Sequence, residues 1–201
     1  LSNPLGLSYS HKEKQTLVEL AHKYDVYIIE DDYMADFDRA SNVSLHYLDT
    51  NDRIIYLKSF SMSLFPALRL GSLILPKKLL KKFLDYKNLI DYDTNLIMQK
   101  ALSLYIDNGM FAKNKKRLKQ MYYQKTSELA KEFSTFTLKL PHHIFQDSLI
   151  LQLPTKVNLA LLKYRLNSPN FLEKNYISTC PYHFIQLQAG ENWQNLLTIF
   201  E

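Results

Sequence analysis

Glycine and cysteine are scarce in this 201-residue chain, and long apolar runs are missing from it. Its four glycines are scattered, so the sequence has neither a GxGxxG fingerprint nor a P-loop, and binding of nucleotide-type phosphates through such loops is unsupported. A single cysteine, Cys180, cannot form an internal disulfide, as is usual in a reducing compartment. No segment approaches the roughly 20 apolar residues of a transmembrane helix, and the first residues lack the pattern of a signal peptide. We therefore expect a cytoplasmic protein.

Apolar and charged residues are present in the proportions of a soluble globular protein. Hydrophobic residues make up 46% of the chain and charged residues 22%, so it can bury a substantial core. The net charge of +5 comes mostly from lysines in two runs, residues 77–87 and 113–125. Because apolar residues recur at helical spacing within both runs, we interpret them as solvated faces of amphipathic helices and not as a DNA-binding surface.

The first half of the chain has the pattern of an α/β fold. Ser10 is a predicted N-cap, and Glu13 is placed to complete a capping box for a helix that ends near Tyr24. Three apolar or β-branched runs then predict strands: Val26–Glu30, Arg53–Phe60 and Gly71–Leu75. The first strand runs directly into the acidic pair Asp31 and Asp32. A strand that ends in charge predicts a site at its carboxyl edge.

The second half changes from helices to short strands. Three helices are predicted after Pro76, at about 77–90, 94–107 and 110–133. The strands predicted beyond them are Thr137–Leu140, Leu149–Leu153, Tyr176–Thr179 and Phe184–Leu187, around one helix at Asn158–Leu166. We place a domain boundary near Tyr122, which gives a large-domain portion over residues 1–121 and a small α+β domain over residues 122–201.

Four local patterns occur in the order and spacing of a known family. They are Asn3-Pro4-Leu5-Gly6, the segment IIEDDY at residues 28–33 with Phe37, the segment SFSMSLFPALRLG at residues 59–71, and the segment KRLKQMY at residues 116–122. Together they resemble fold-type I, pyridoxal-phosphate-dependent aminotransferases of class I and II, and most of all the aminotransferase-like effector domain of MocR-type GntR transcriptional regulators. The resemblance implies part of a large domain, a mostly parallel sheet with helices, followed by the small α+β domain. Because the chain begins at the first pattern, we expect the upstream half of the large domain, with its phosphate-binding glycine loop, to be missing.

The first three patterns carry the cofactor contacts of this family. In the resemblance, the Asp31 carboxylate pairs with the pyridinium nitrogen of pyridoxal 5'-phosphate, while Asn3 and Tyr33 contact the phenolic oxygen. Hydroxyl groups and a guanidinium group suit a phosphate dianion. The resemblance gives that role to Ser59, Ser61 and Arg69.

Methionine stands where this family carries its Schiff-base lysine. The thioether of Met62 can neither form a Schiff base nor move a proton, so transamination through this residue is excluded. Lys58 lies nearby in sequence, but four residues along a strand and a turn are expected to direct it elsewhere. Leu197 stands at the position of the family's carboxylate-binding arginine, and Pro141-His142-His143-Ile144 and Cys180-Pro181-Tyr182 replace two glycine-containing turns. We therefore assign no catalytic residue.

These features favour a degenerate effector domain over an enzyme. We expect it to bind pyridoxal phosphate or another small molecule without a covalent bond, to form a homodimer as family members do, and to reach DNA only through a separate domain. His142 and His143 are adjacent and lack further ligands at zinc spacing, so no metal site is expected. Two alternatives stay open: an aminotransferase whose lysine has been substituted, and a structural dimerisation module.

Overall fold

The computed structural model describes residues 8–37, 43–91, 94–134, 142–145, 148–154, 158, 172–174 and 182–188. The chain divides into two compact units, one over residues 8–119 and the other from residue 120 onward. A domain boundary near Tyr122 stays a prediction. None of the described helices combines the length and the hydropathy that crossing a bilayer requires.

The first helix, α1 (His11–Lys23), begins at a capping box, as the sequence predicts. The Glu13 amide donates to Ser10 Oγ at 3.3 Å, and the Ser10 amide donates to Glu13 Oε2 at 2.7 Å. These two bonds satisfy N–H groups that have no partner inside the helix. The predicted end near Tyr24 is also confirmed, since Tyr24 is the C-cap.

The sheet of the first unit has three strands in sequence order: β1 (Ile28–Asp31), β2 (Ile54–Ser59) and β3 (Gly71–Ile74). β1 and β2 are parallel, with Asp31 beside Leu57, whereas β2 and β3 are antiparallel, with Ser59 beside Gly71. The α/β class is confirmed, and the described sheet is mixed where the sequence predicts a mostly parallel one. A parallel pair needs a crossover of about a dozen residues or more, and the connection from Ser59 to Gly71 is shorter than that.

A short helix that the sequence patterns did not predict, α2 (Leu45–Leu48), lies between β1 and β2 in the chain. The Glu30 carboxylate accepts hydrogen bonds from the amides of Leu45 and His46, at 2.7 and 3.0 Å. A carboxylate at a helix N-terminus satisfies free N–H groups and interacts favourably with the helix dipole. The core around this helix consists of Val18, Leu45 and Ile54, packed against Leu17, Ile28 and Leu48. The core contacts hold the start of β1 through Ile28, and the Glu30 bonds tie its acidic end to α2.

Three longer helices follow the sheet: α3 (Lys77–Ile90), α4 (Leu96–Asp107) and α5 (Met110–Ser134). Their bounds agree closely with the predicted ones. The Asp52 carboxylate accepts a hydrogen bond from the Lys77 amide at 2.7 Å, and the Asn95 side chain accepts one from the Met98 amide at 3.1 Å. The first bond satisfies a free N–H group at the start of α3, and the second is the N-cap of α4. No residue of α3 is buried within the described chain, so its lysines form a solvated helix face.

The described part of the second unit contains an antiparallel sheet in the order β4-β5-β7-β6. Its strands are β4 (His142–Phe145), β5 (Ser148–Pro154), β6 (Leu172–Lys174) and β7 (Tyr182–Gln188). The predicted strands Leu149–Leu153 and Phe184–Leu187 are confirmed as parts of β5 and β7. β4 includes His142, His143 and Ile144, which the sequence resemblance aligns with a glycine-containing turn. Five apolar side chains are at most 1% exposed: Leu149, Ile150, Leu151, Leu153 and Ile185.

The remaining predictions for the second half lie outside the described residues. These are the strands Thr137–Leu140 and Tyr176–Thr179, the helix beyond Asn158, and Leu197. They stay predictions.

Candidate functional site

One edge of the three-stranded sheet collects polar residues from the strand ends. Asp31 ends β1, Ser59 ends β2, and Gly71 begins β3 beside Ser59. A cavity of about 350 Å³ opens at this edge. Its polar lining includes Asp31, Ser59, Ser61, Arg69 and Ser72. The structure therefore brings together four of the residues that the sequence patterns single out.

The chain between β2 and β3 folds back so that Arg69 comes to border the same cavity as the serines. The Ser61 amide donates to Ser59 Oγ at 3.2 Å, which closes a tight turn. Arg69 has a left-handed backbone, with φ 50° and ψ 38°, which is uncommon for a residue other than glycine. A Cβ on Gly71 would lie 2.9 Å from the Lys58 carbonyl oxygen, so this position requires glycine. The backbone of this connection thus determines where Arg69 lies.

Three of the polar side chains that line the cavity do not bind to one another. Within the part of the chain that the structure describes, the Asp31 carboxylate, the Ser61 hydroxyl and the Arg69 guanidinium have no hydrogen-bond or ion-pair partner. Polar groups in proteins are normally bonded to protein or water, so these are available to a ligand. The described part of the chain contains no group of three His, Cys, Asp or Glu side chains that could hold a metal ion.

Tyr56 and Lys58, on the opposite face of the sheet, are paired within the protein. Side chains alternate between faces along a strand, so Tyr56 and Lys58 leave β2 on the side away from Ser59. Tyr56 Oη donates to Asp32 Oδ2 at 3.1 Å, and Lys58 Nζ lies 2.7 Å from Asp36 Oδ1. Burial, followed by the negative charge of Asp32, raises the pKa of Tyr56 above its ordinary value. Structural interactions therefore occupy this face.

Comparison with known proteins identifies the family. The sequence matches aminotransferase class I and II over residues 1–152, which is more than half of the chain. The chain belongs to the aminotransferase class I and II family. The resemblance that the four sequence patterns indicated is thereby confirmed.

Curated relatives of this aminotransferase-family chain are named as regulators. It is 41% identical over 134 residues to the uncharacterized HTH-type transcriptional regulator YcxD of Bacillus subtilis (strain 168), covering 66% of this chain and 30% of that protein. It is 30% identical over 124 residues to the probable rhizopine catabolism regulatory protein MocR of Rhizobium meliloti, covering 61% of this chain and 25% of that protein. These alignments therefore span less than a third of either relative.

Solved aminotransferases share the fold. The kynurenine aminotransferase of Pyrococcus horikoshii superposes with a TM-score of 0.81 at 19% identity, over 98% of this chain and 52% of that one. An archaeal alanine:glyoxylate aminotransferase gives a TM-score of 0.80 at 22% identity, over 99% of this chain and 52% of that one. At these identities the likeness shows the fold alone, and this chain spans about half of each enzyme.

Three further residues of the family pattern lie apart from the cavity lining or outside the described chain. Met62, which the sequence resemblance aligns with the family lysine, is 39% exposed and is not among the described lining residues. Tyr33 is half-buried just after β1 and is not among them either. Asn3 lies outside the described residues. Their contacts to a cofactor stay predictions.

The sequence patterns did not predict two ion pairs beside the cavity, which Asp36 forms with Lys58 and Lys115. Lys58 borders the cavity, but its ammonium group lies against the Asp36 carboxylate. Lys115 of α5 lies 3.8 Å from the same carboxylate. No motif marks these partners, because they come together only when the turn after β1 and helix α5 pack against β2.

Proposed function

We propose that this chain is the aminotransferase-like, ligand-binding part of a transcriptional regulator, and that it binds pyridoxal 5'-phosphate or a closely similar molecule without a covalent bond. The names of the relatives YcxD and MocR support the regulatory half of this proposal. The cavity at the sheet edge supports the ligand-binding half. One observation carries it: Asp31, Ser59, Ser61 and Arg69 border the same space.

The residues of the cavity fit this ligand. The Ser59 and Ser61 hydroxyls and the Arg69 guanidinium would hold a phosphate dianion, and the Asp31 carboxylate would hold a protonated ring nitrogen. A volume of about 350 Å³ lies within the range of small-molecule sites. When bound, pyridoxal phosphate supplies a ring that accepts electrons. By resemblance, Asn3 and Tyr33 would orient that ring through its phenolic oxygen.

The chain is proposed not to catalyse transamination. The Met62 thioether supplies no amine to attack a carbonyl group and no base to move a proton. Lys58 is engaged by Asp36 at 2.7 Å, so it offers no free amine in its place. By resemblance, Leu197 also replaces the arginine that would clamp a substrate carboxylate. Binding and orientation would then be what the site retains.

The role as part of a regulator has consequences for DNA binding, location and assembly. A domain that reports on a small molecule would act on DNA through a separate DNA-binding domain, in the cytoplasm, and as a homodimer in the manner of its family. The alternative of a purely structural dimerisation module differs in one measurable respect, because it requires no ligand.

Isothermal titration of the full-length protein tests the proposed function. We expect pyridoxal 5'-phosphate to bind and to be removed by dialysis, and pyridoxal to bind more weakly because it lacks the group that Arg69 and the serines hold. Absence of heat with pyridoxal 5'-phosphate would favour the structural module. Restoration of transamination by Met62→Lys alone would instead favour an enzyme that has lost only its lysine.

A further inference from the structure

The segment that carries the two cavity serines, residues 58–63, has two sides. Ser59 and Ser61 line the cavity. Phe60, between them, contacts helix α5: its ring lies edge-on to the Phe111 ring, with centroids 6.0 Å apart. The two cavity serines therefore flank a residue, Phe60, that holds the segment to α5.

The most deeply buried anchor of this segment is Asp36, whose side chain is 6% exposed. Its Oδ1 lies 2.7 Å from Lys58 Nζ and 3.8 Å from Lys115 Nζ. The Lys58 ammonium also lies 5.8 Å from the centre of the Phe111 ring. A buried carboxylate is stable only when it is paired, so Asp36 holds Lys58 in place. Because Lys58 directly precedes Ser59, this pairing also fixes the start of the cavity rim.

A second anchor holds the far end of the segment. Asn114 of α5 donates from Nδ2 to the Ser63 carbonyl oxygen at 2.8 Å, and Ser63 is 1% exposed. Both ends are thus held by contacts that do not use the cavity.

We propose that the Asp36–Lys58 ion pair is a positioning device that holds Ser59 and Ser61 where their hydroxyl groups can donate to a phosphate group. This inference rests on the proposed function, because the phosphate is that of the same ligand. Hydrogen bonds weaken steeply when donor and acceptor lose their alignment. Selectivity for the phosphorylated form of the ligand then depends on two residues that act through their neighbours.

A charge-balanced double variant of the full-length protein, Asp36→Asn with Lys58→Met, tests this role. It removes one charge of each sign, and methionine keeps the aliphatic length that passes Phe60 and Phe111. Titration with pyridoxal 5'-phosphate is expected to show about tenfold weaker binding, while the affinity for pyridoxal stays within about twofold. The matched control is Lys81→Met with Asp85→Asn, which removes an exposed pair of 3.2 Å on α3 and is expected to change neither affinity.

The titrations test the positioning role of the ion pair separately from the proposed ligand-binding function. Equal weakening for both ligands, or no weakening for either, overturns the positioning role alone. A wild-type protein that does not bind pyridoxal 5'-phosphate overturns the proposed function and this inference with it. Should thermal melting show that the double variant does not fold, Asp36→Asn alone replaces it, because it weakens the pairing with Lys58 and keeps the shape of the side chain. We then expect about threefold weaker binding of the phosphorylated ligand only, and equal loss for both ligands would again overturn the role.

Discussion

Asp31 and Asp32 are neighbours in the chain, yet they lie on opposite faces of the sheet and differ in their interactions. Asp32 accepts a hydrogen bond from Tyr56 and is part of a paired, structural face. Asp31 borders a cavity together with Arg69, and neither side chain has a partner among the described residues. The difference follows from the pleat of the strands, which sends successive side chains to opposite sides.

This contrast separates stability from binding. A substitution on the cavity face is expected to change ligand affinity with little effect on the free energy of unfolding. A substitution on the paired face is expected to do the reverse.

The largest expected effect is that of Arg69→Ala on binding. Loss of a guanidinium that donates to a phosphate should weaken pyridoxal 5'-phosphate binding by about 3 kcal/mol, roughly 150-fold, and leave the melting temperature nearly unchanged. Isothermal titration and thermal melting measure both quantities. Lys82→Ala, an exposed cation on α3, is the matched control. Equal effects of the two substitutions would mean that Arg69 contributes only to the general charge.

Gly71→Ala is expected to change both the ligand affinity and the free energy of unfolding. The new Cβ would lie 2.9 Å from the Lys58 carbonyl oxygen, so β2 and β3 must move apart at the cavity edge. We expect a loss of about 2 kcal/mol in the free energy of unfolding and a weaker affinity as well. Gly109→Ala provides the control, because its Cβ meets nothing within 4 Å and its cost comes from a φ of 71° alone. It should leave ligand affinity unchanged.

The smallest effect is that of Tyr56→Phe on the paired face. Removal of the hydrogen bond to Asp32 should cost about 1 kcal/mol of stability at neutral pH and leave ligand affinity unchanged. Since burial raises the pKa of Tyr56 above 10.0, the native state holds this proton more tightly than the unfolded state. The wild-type protein should therefore lose stability as pH rises above about 10, and the difference from Tyr56→Phe should shrink. A constant difference between pH 7 and pH 11 would contradict this.

Local signals in the sequence predicted the parts of the fold that depend on local interactions. The capping box of Ser10 and Glu13 and the apolar run before Asp31 each depend on near neighbours, and both helix and strand are confirmed. The antiparallel direction of β3 was not predicted, although the connection between Ser59 and Gly71 is short for a parallel crossover.

The candidate site was predictable only in part. Asp31, Ser59, Ser61 and Arg69 follow from motif order, and the structure brings them to one cavity. The pairing of Asp36 with Lys58 and Lys115 was not predictable, because it joins three separate segments. Interactions between distant segments carry no local pattern, so only the folded chain reveals them.

The most direct test of the central claim, ligand binding without a covalent bond, is the mass of the full-length protein after incubation with pyridoxal 5'-phosphate and borohydride. Because pyridoxal 5'-phosphate also labels exposed lysines, the masses are compared peptide by peptide. We expect no adduct on residues 58–62 of the wild-type protein, because Met62 cannot form a Schiff base and Lys58 is held by Asp36. Met62→Lys is expected to gain one ligand at residue 62, which shows that the reaction in the cavity is detectable. A borohydride-stable adduct at Lys58 of the wild-type protein would contradict the claim.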